Sequence, residues 1–320
     1  MRYRRLRFIR GAMSRLTANC LLLLAGLVWG LGFITQRTAM DDIGPFLFVG
    51  LRFTLATLVV LPFALAERAR MRQTTDWRPF SPAEIRAIVG VGVVFFLMMM
   101  LQQIGILGTS VTNAGMLTGL YVVLVPIIAF TVWRQRQPAF VWPGAALAFA
   151  GIWLLGGGGL DKITWGDVVV IISAIFAALQ VILLGRAVGD AGRPVAIATA
   201  QFAVTGVLGL IGFVIVRALD WPLEPAYSID TVLSAAPEIA YSAIFAGGLA
   251  FSLQAIGQRH TGAADAAILL SSEALFAAIG AAILLGERLD MIGYVGCAMM
   301  FTAIVFVSVV SAKAEQAPAS

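Results

Sequence analysis

The amino-acid sequence predicts an all-α polytopic membrane protein: ten transmembrane helices forming two inverted five-helix repeats, with both termini cytoplasmic. Three observations lead there. Of the 320 residues, 60% are hydrophobic and only 12% charged, with a mean hydropathy of +0.93, well above what a soluble domain with a hydrated surface carries. The segment LQQIG at Leu101 to Gly105 returns as LQAIG at Leu253 to Gly257, an offset of 152 residues, so one helical unit is written twice. Basic residues gather between alternate apolar runs, as positive-inside topology requires.

A helix needs roughly 20 apolar residues to cross a bilayer. Apolar runs bounded by charged or Pro/Gly-rich breaks place the spans near Thr17 to Gln36, Phe46 to Ala66, Ile85 to Leu107, Val111 to Trp133, Ala139 to Gly157, Trp165 to Arg186, Pro194 to Arg217, Pro237 to Gly257, Ala263 to Leu285 and Met291 to Ser311. The basic N-terminal region followed by an apolar run resembles a secretory signal. That run is too long for a signal core and lacks a small-x-small exit, so it reads as a retained first span, with Met13 an alternative start. With a cytoplasmic N-terminus, 17 Lys and Arg residues fall inside and 4 outside, Arg52 remaining within a helix. The organisation is a basic cytoplasmic tail at 1–16, a first repeat at 17–157, a periplasmic linker at 158–164, a second repeat at 165–311 and a cytoplasmic tail at 312–320.

The 152-residue offset also aligns Thr109 with Thr261, Ala114 with Ala266, Leu117 with Leu269 and Gly144 with Gly296, while an offset of 149 superposes GPFLFVGLRF (Gly44 to Phe53) on RPVAIATAQF (Arg193 to Phe202). Five spans per unit is odd, so the second copy enters the membrane from the opposite side, the arrangement of alternating-access carriers. The loop after the LQxIG motif is uncharged in the first copy, Ile106-Leu107-Gly108, and is Gln258-Arg259-His260 in the second. Charge follows the membrane side rather than the repeat position.

Several function classes drop out. The net charge of +5 sits in short clusters that topology explains, and no basic surface with interleaved aromatics points to nucleic acid. Cys20 and Cys297 lie in apolar segments and read as packing residues. The intramembrane inventory has no HExxH and no paired acids, so neither a metal, a cofactor nor a catalytic residue is assigned. Gly156 to Gly159 lacks P-loop spacing and reads as a loop. The GxxxG spacings at Gly26 to Gly30 and Gly115 to Gly119 signify close helix contact only.

Glu273 is the exceptional residue. It lies about 10 residues into the ninth span, roughly 15 Å deep in a ~30 Å core, where a lipid-facing carboxylate costs at least ~2.5 kcal/mol; it must face a cavity or a partner. Its repeat mate is Tyr121, at similar depth in the fourth span. Trp29, mid-span where the other tryptophans fall near helix ends, offers with Phe33 a flat wall, and Met98 with Met99 an adaptable one; helix packing is the alternative for each. The repeat mates Gln102 and Gln254, together with Gln180, either bind a solute or bridge helices. Ser272 joins the candidate set, or bonds its own helix as Ser271 does. Arg52, near 9 Å deep, is expected to snorkel to the interface, the alternative being contact with a solute carboxylate. Asp265 and His260 read as solvated helix-terminus residues, with a proton relay to Glu273 as the alternative.

The stretches LVWGLGF (Leu27 to Phe33), LRFTLATLVVLP (Leu51 to Pro62), TSVTNAGMLTGLYVVLVPIIAF (Thr109 to Phe130) and TGAADAAILLSSEALFAAIGAAILLGERL (Thr261 to Leu289) resemble the drug/metabolite transporter superfamily, specifically its ten-helix EamA-type exporters. The resemblance covers the whole span from first to last helix. It implies an inverted-repeat carrier with a cavity between halves that exports amino acids or other small metabolites from bacteria, and places Trp29, Tyr121 and Glu273 on cavity-lining helices. Ala274 departs from the pattern, since many relatives have proline after the glutamate.

The function expected is alternating-access export of amino acids, aromatic or apolar ones included, or similar metabolites across a bacterial inner membrane. The alternatives are a carrier for another solute, an organic cation or a sugar-type metabolite, and an intramembrane enzyme. The partners are a small-molecule solute and the lipid bilayer; the oligomeric state stays open, a monomer being compatible.

Overall fold

The computed structural model of the protein describes residues 13–74, 77–155, 163–284 and 290–316, and every regular element among them is helical. The first span is α1 (Arg15–Gly30) continued by α2 (Gly32–Thr38). It is followed by α3 (Pro45–Arg72) and α4 (Pro82–Ile106), by α5 (Val111–Thr118) with α6 (Tyr121–Thr131) as the fourth span, and by α7 (Val141–Leu155). The second copy runs α8 (Trp165–Ala191), α9 (Pro194–Ala218), the short connecting helix α10 (Ile229–Ser234), then α11 (Ala236–Tyr241), a π-helical segment (Ser242–Leu249) and α12 (Ala250–Gln258) as one span. It ends with α13 (Ala263–Leu270), α14 (Ser272–Leu284) and α15 (Met291–Gln316).

Among the described residues, eight helical stretches are long and apolar enough to cross a membrane. The other two expected spans are α7, a shorter apolar helix, and α13 with α14, whose continuation at 285–289 lies outside the described residues, as do the glycine run at 156–159 and most of the 158–164 linker. Proline opens α3, α4 and α9, and capping boxes at Ser81/Glu84 and Thr164/Asp167 start α4 and α8; these devices satisfy the first orphan N–H groups. The outward faces carry exposed Leu58, Phe63, Val214 and Phe301, side chains suited to lipid.

Repeat mates pack on each other. The helix α3 lies against α9, α7 against α15, and α6 against α13, so the two copies are interlocked. Glycine permits the closest approaches. A Cβ at Gly209 would stand 2.8 Å from the Gly50 Cα, and one at Gly151 2.8 Å from the Gly296 carbonyl oxygen. Gly26 and Gly30 of α1 face the junction of α13 and α14, where a Cβ at Gly30 would meet the Glu273 carbonyl oxygen at 2.5 Å. The apolar interior divides into two cores, one built around α5 to α7, α13 and α15, the other around α3, α4 and α9; Trp29 and Met98 pack against both.

Acids from the opposite copy cap the two crossed helices α3 and α9. The Glu224 carboxylate accepts from the Phe46 and Leu47 N–H groups at 2.9 and 3.1 Å. The Glu67 carboxylate accepts from Val195 and Ala196 at 3.2 and 2.8 Å. These are the same two positions under the 149-residue offset, capped once at each end of the bundle. Burial pushes the Glu224 carboxyl above its usual range, while the two N–H donors and Arg217 pull it back. Asp265 departs from its expected solvation. It is buried and ion-paired with Arg15, because α1 and α13 begin side by side and an acid in a helix's first turn is favoured there.

Replacing Gly30 with Ala should cost about 1–3 kcal/mol, since the obstacle is backbone and cannot yield. Gly90→Ala, with nothing within 4 Å, should be neutral or stabilising by up to ~1 kcal/mol. Removing the Glu224 carboxylate as Glu224→Ala strands two N–H groups and should cost roughly 1–3 kcal/mol. Thermal unfolding in detergent, with each variant beside the parent, measures all three.

Candidate functional site

A cavity lies at the middle of the bundle, lined by both copies of the repeat. The first span contributes Trp29, Phe33 and Gln36, α3 contributes Arg52, and α4 contributes Met98, Met99 and Gln102. Thr118 and Tyr121 come from the ends of α5 and α6, Ala177, Gln180 and Val181 from α8. The second copy adds Ala246, Phe251, Gln254, Leu270 and Glu273.

The local backbone explains why these side chains converge. Four spans leave regular α geometry at the cavity. The first breaks at Leu31, between α1 and α2. The fourth tightens at Gly119 and Leu120, where Leu120 N–H bonds the Leu117 carbonyl and Val122 N–H that of Gly119. The eighth carries the π-helical segment, and the ninth breaks at Ser271. Under the 152-residue offset Gly119 and Ser271 are mates, as are Tyr121 and Glu273, so both breaks fall at one position of the repeat. The ninth span breaks at Ser271 without a proline at Ala274 to interrupt it.

Side chains complete what the broken ladders leave open. The Trp29 indole N–H donates to the Ala246 carbonyl in the π-helical segment at 2.8 Å, and Arg52 Nε donates to the Ser242 carbonyl at 3.2 Å. Arg52 Nη1 also donates to Gln36 Oε1 at 3.2 Å, and its guanidinium lies 4.9 Å from the Phe53 ring centroid. Arg52 therefore does not snorkel. It is 2% exposed, because a carbonyl, an amide and an aromatic face hold it inside, and further N–H donors of its fork remain for the cavity. Gln254 Nε2 donates to Gln180 Oε1 at 3.2 Å, and Gln180 Nε2 to Gln201 Oε1 at 3.3 Å. Gln102 Nε2 donates to the Thr118 hydroxyl at 3.1 Å. Left without partners are Glu273 Oε1, Gln254 Oε1 and the Tyr121 hydroxyl, although Tyr121 lies beside Glu273.

All but one of the side chains put forward from sequence for the solute site line this cavity. The exception is Ser272, which is fully buried with its hydroxyl against Gly26, in the space a Cβ there would need; it serves the close contact of α1 with the ninth span. Ser271 bonds the Ile268 carbonyl of its own helix at 2.8 Å.

The EamA-like transporter family matches the chain twice, over residues 16–157 and 164–309. The chain belongs to this family. It is 28% identical over 297 residues to an uncharacterized transporter of Archaeoglobus fulgidus, covering 92% of this chain and 87% of that one. It is 26% identical to the uncharacterized transporter YetK of Bacillus subtilis, covering 90% and 85%. An S-adenosylmethionine/S-adenosylhomocysteine transporter of Chlamydia muridarum is 28% identical over 152 residues, 46% of this chain and 45% of that one. A solved crystal structure shares the fold with a TM-score of 0.72 at 17% identity, spanning 95% of this chain and all of the other. This EamA-like chain is thus a multi-pass membrane transporter, not an enzyme, and its solute is a small molecule.

Among the described residues no cluster of His, Cys, Asp or Glu could hold a metal ion. Sequence reasoning missed Phe251, Thr118 and Gln36. Phe251 was within reach, since the 152-residue offset makes it the mate of Met99 and both line the cavity. Its ring packs on Trp29, centroids 4.4 Å apart, and on Phe95 at 4.6 Å, which fixes the indole plane.

Trp29→Phe keeps the ring but strands the Ala246 carbonyl. Its expected cost is about 1 kcal/mol, read as a lower melting temperature of the purified transporter.

Proposed function

We propose that this EamA-like transporter exports amino acids with aromatic or apolar side chains from the cytoplasm across a bacterial inner membrane, by alternating access around the central cavity. The observation that carries the reading is that one carboxyl, Glu273, and one guanidinium, Arg52, face the same cavity while no ion pair joins them among the described residues. An uncompensated charge is expensive in a low-dielectric interior, and a zwitterion supplies the missing partner to each. Its carboxylate meets Arg52 and its ammonium meets Glu273. Trp29, Phe33, Phe251 and the two methionines form a wall for an apolar side chain, Met adapting to different shapes. The division of the interior into two cores, touching at Trp29 and Met98, suits two bodies that rock about the site.

A second reading keeps the same charge placement with a bulkier solute. The Chlamydia relative's name gives it S-adenosylmethionine and S-adenosylhomocysteine, both with an amino-acid zwitterion and the first also with a sulfonium, which an aromatic-lined cavity with one carboxylate accommodates.

The test is flux of radiolabelled phenylalanine, methionine and leucine in reconstituted vesicles. Both Glu273→Gln and Arg52→Gln should lower that flux at least about tenfold per unit of folded protein in the vesicles, the loss of one hydrogen bond to a charged group. Absence of flux for every amino acid by the parent, with sugars or organic cations moving instead, removes the amino-acid reading.

A further inference from the structure

The cavity's polar atoms are not evenly engaged. Gln102 is bonded to Thr118, whose hydroxyl donates on to the Ala114 carbonyl at 2.7 Å. Arg52 presents donors only. In the same cavity, Glu273 Oε1, Gln254 Oε1 and the Tyr121 hydroxyl have no hydrogen-bond partner, although their residues are only 6%, 1% and 4% exposed. Buried polar groups are nearly always paired, so three orphans in one cavity mark where a ligand belongs.

We propose that Glu273 Oε1, Gln254 Oε1 and the Tyr121 hydroxyl form a subsite for a primary ammonium group, through which the cavity selects primary amines over their N-methylated forms. This rests on the zwitterion reading above and adds to it which atoms receive the nitrogen. A primary ammonium has three N–H donors and no acceptor, the complement of three acceptors without donors. The orientation of Gln254 suits this role, because its Nε2 is held by Gln180, itself held by Gln201, and its oxygen is the atom left over. The Tyr121 hydroxyl, which lies beside Glu273, has a lone pair to offer the ligand.

The three residues sit on α6, α12 and α14, in both copies of the repeat, so the subsite exists only when the copies are assembled. A quaternary nitrogen has no N–H to give and would leave all three acceptors stranded.

The experiment compares phenylalanine, N-methylphenylalanine, N,N,N-trimethylphenylalanine and 3-phenylpropanoate, each as competitor of radiolabelled phenylalanine flux in vesicles and as a stabiliser in thermal unfolding of the parent protein. Apparent affinity should fall with each methyl, at least about tenfold in all, because sites built around hydrogen bonds reject analogues that lack the donor. In Tyr121→Phe and Gln254→Met the preference should shrink to within about threefold, each variant removing one acceptor. If the trimethyl compound competes as well as phenylalanine in the parent, the subsite is overturned and the zwitterion reading stands. Should 3-phenylpropanoate compete equally, or phenylalanine itself neither move nor stabilise, the zwitterion reading falls and takes the subsite with it. The parent's binding series decides the matter even if a variant fails to fold.

Discussion

Inside a bilayer a backbone carbonyl or N–H released from its helix has no water to turn to, and this constraint shapes the whole centre of the molecule. Irregular backbone is tolerated only where protein groups or a cavity satisfy it. Four spans depart from α geometry here, and all four departures border one cavity. Trp29 and Arg52 reach across from the first and second spans to bond carbonyls of the π-helical segment. The side chains best suited to meet a solute are thus also those that hold the irregular backbone in place. Side chains fixed in this way are held in place, because moving them would leave a buried carbonyl unpaired.

The repeat imposes the second level of order. Helices α3 and α9 cross at glycines, and each has its first N–H groups capped by an acid supplied by the other copy, Glu224 at one end and Glu67 at the other. Such reciprocal caps bind the two copies together at both faces while leaving the centre lined by polar groups. The repeat is nonetheless broken at the cavity. Tyr121 in one copy is Glu273 in the other, and Met99 is Phe251. The first span breaks at Leu31 while α8 runs unbroken. An exact two-fold would present the same side chains twice; these replacements give the cavity a carboxyl and an extra aromatic ring in the second copy only.

Much of the fold was legible along the chain because a bilayer reads hydrophobicity linearly. A run of about 20 apolar residues is a span whatever its neighbours, and the LQxIG duplication announces the second copy without reference to contacts. The depth of Glu273 and the outlying position of Trp29 pointed to the middle of the membrane by simple counting. Breaks were less legible. Proline after the glutamate would have signalled one in the ninth span; Ala274 does not, and the break at Ser271 falls where Leu270, Ser272 and Glu273 pack against Gly26 and Gly30 of α1. A span's hydropathy is also blind to rotation, so Ser272 beside Glu273 could not be distinguished from it until the helix was turned against its neighbour.

By itself, then, the sequence determined the membrane environment, the inverted duplication and the small set of intramembrane polar side chains, since each depends on composition and spacing alone. Which of those side chains share a cavity was decided by tertiary structure. Arg52 illustrates the difference. Depth predicts a guanidinium that escapes to the interface, and only the approach of the Ser242 carbonyl, Gln36 and the Phe53 ring from other parts of the fold makes its burial tolerable. The same is true of Asp265, drawn inward by Arg15 from 250 residues away. Contacts of that range satisfy charge in the interior, and no local pattern of residues encodes them.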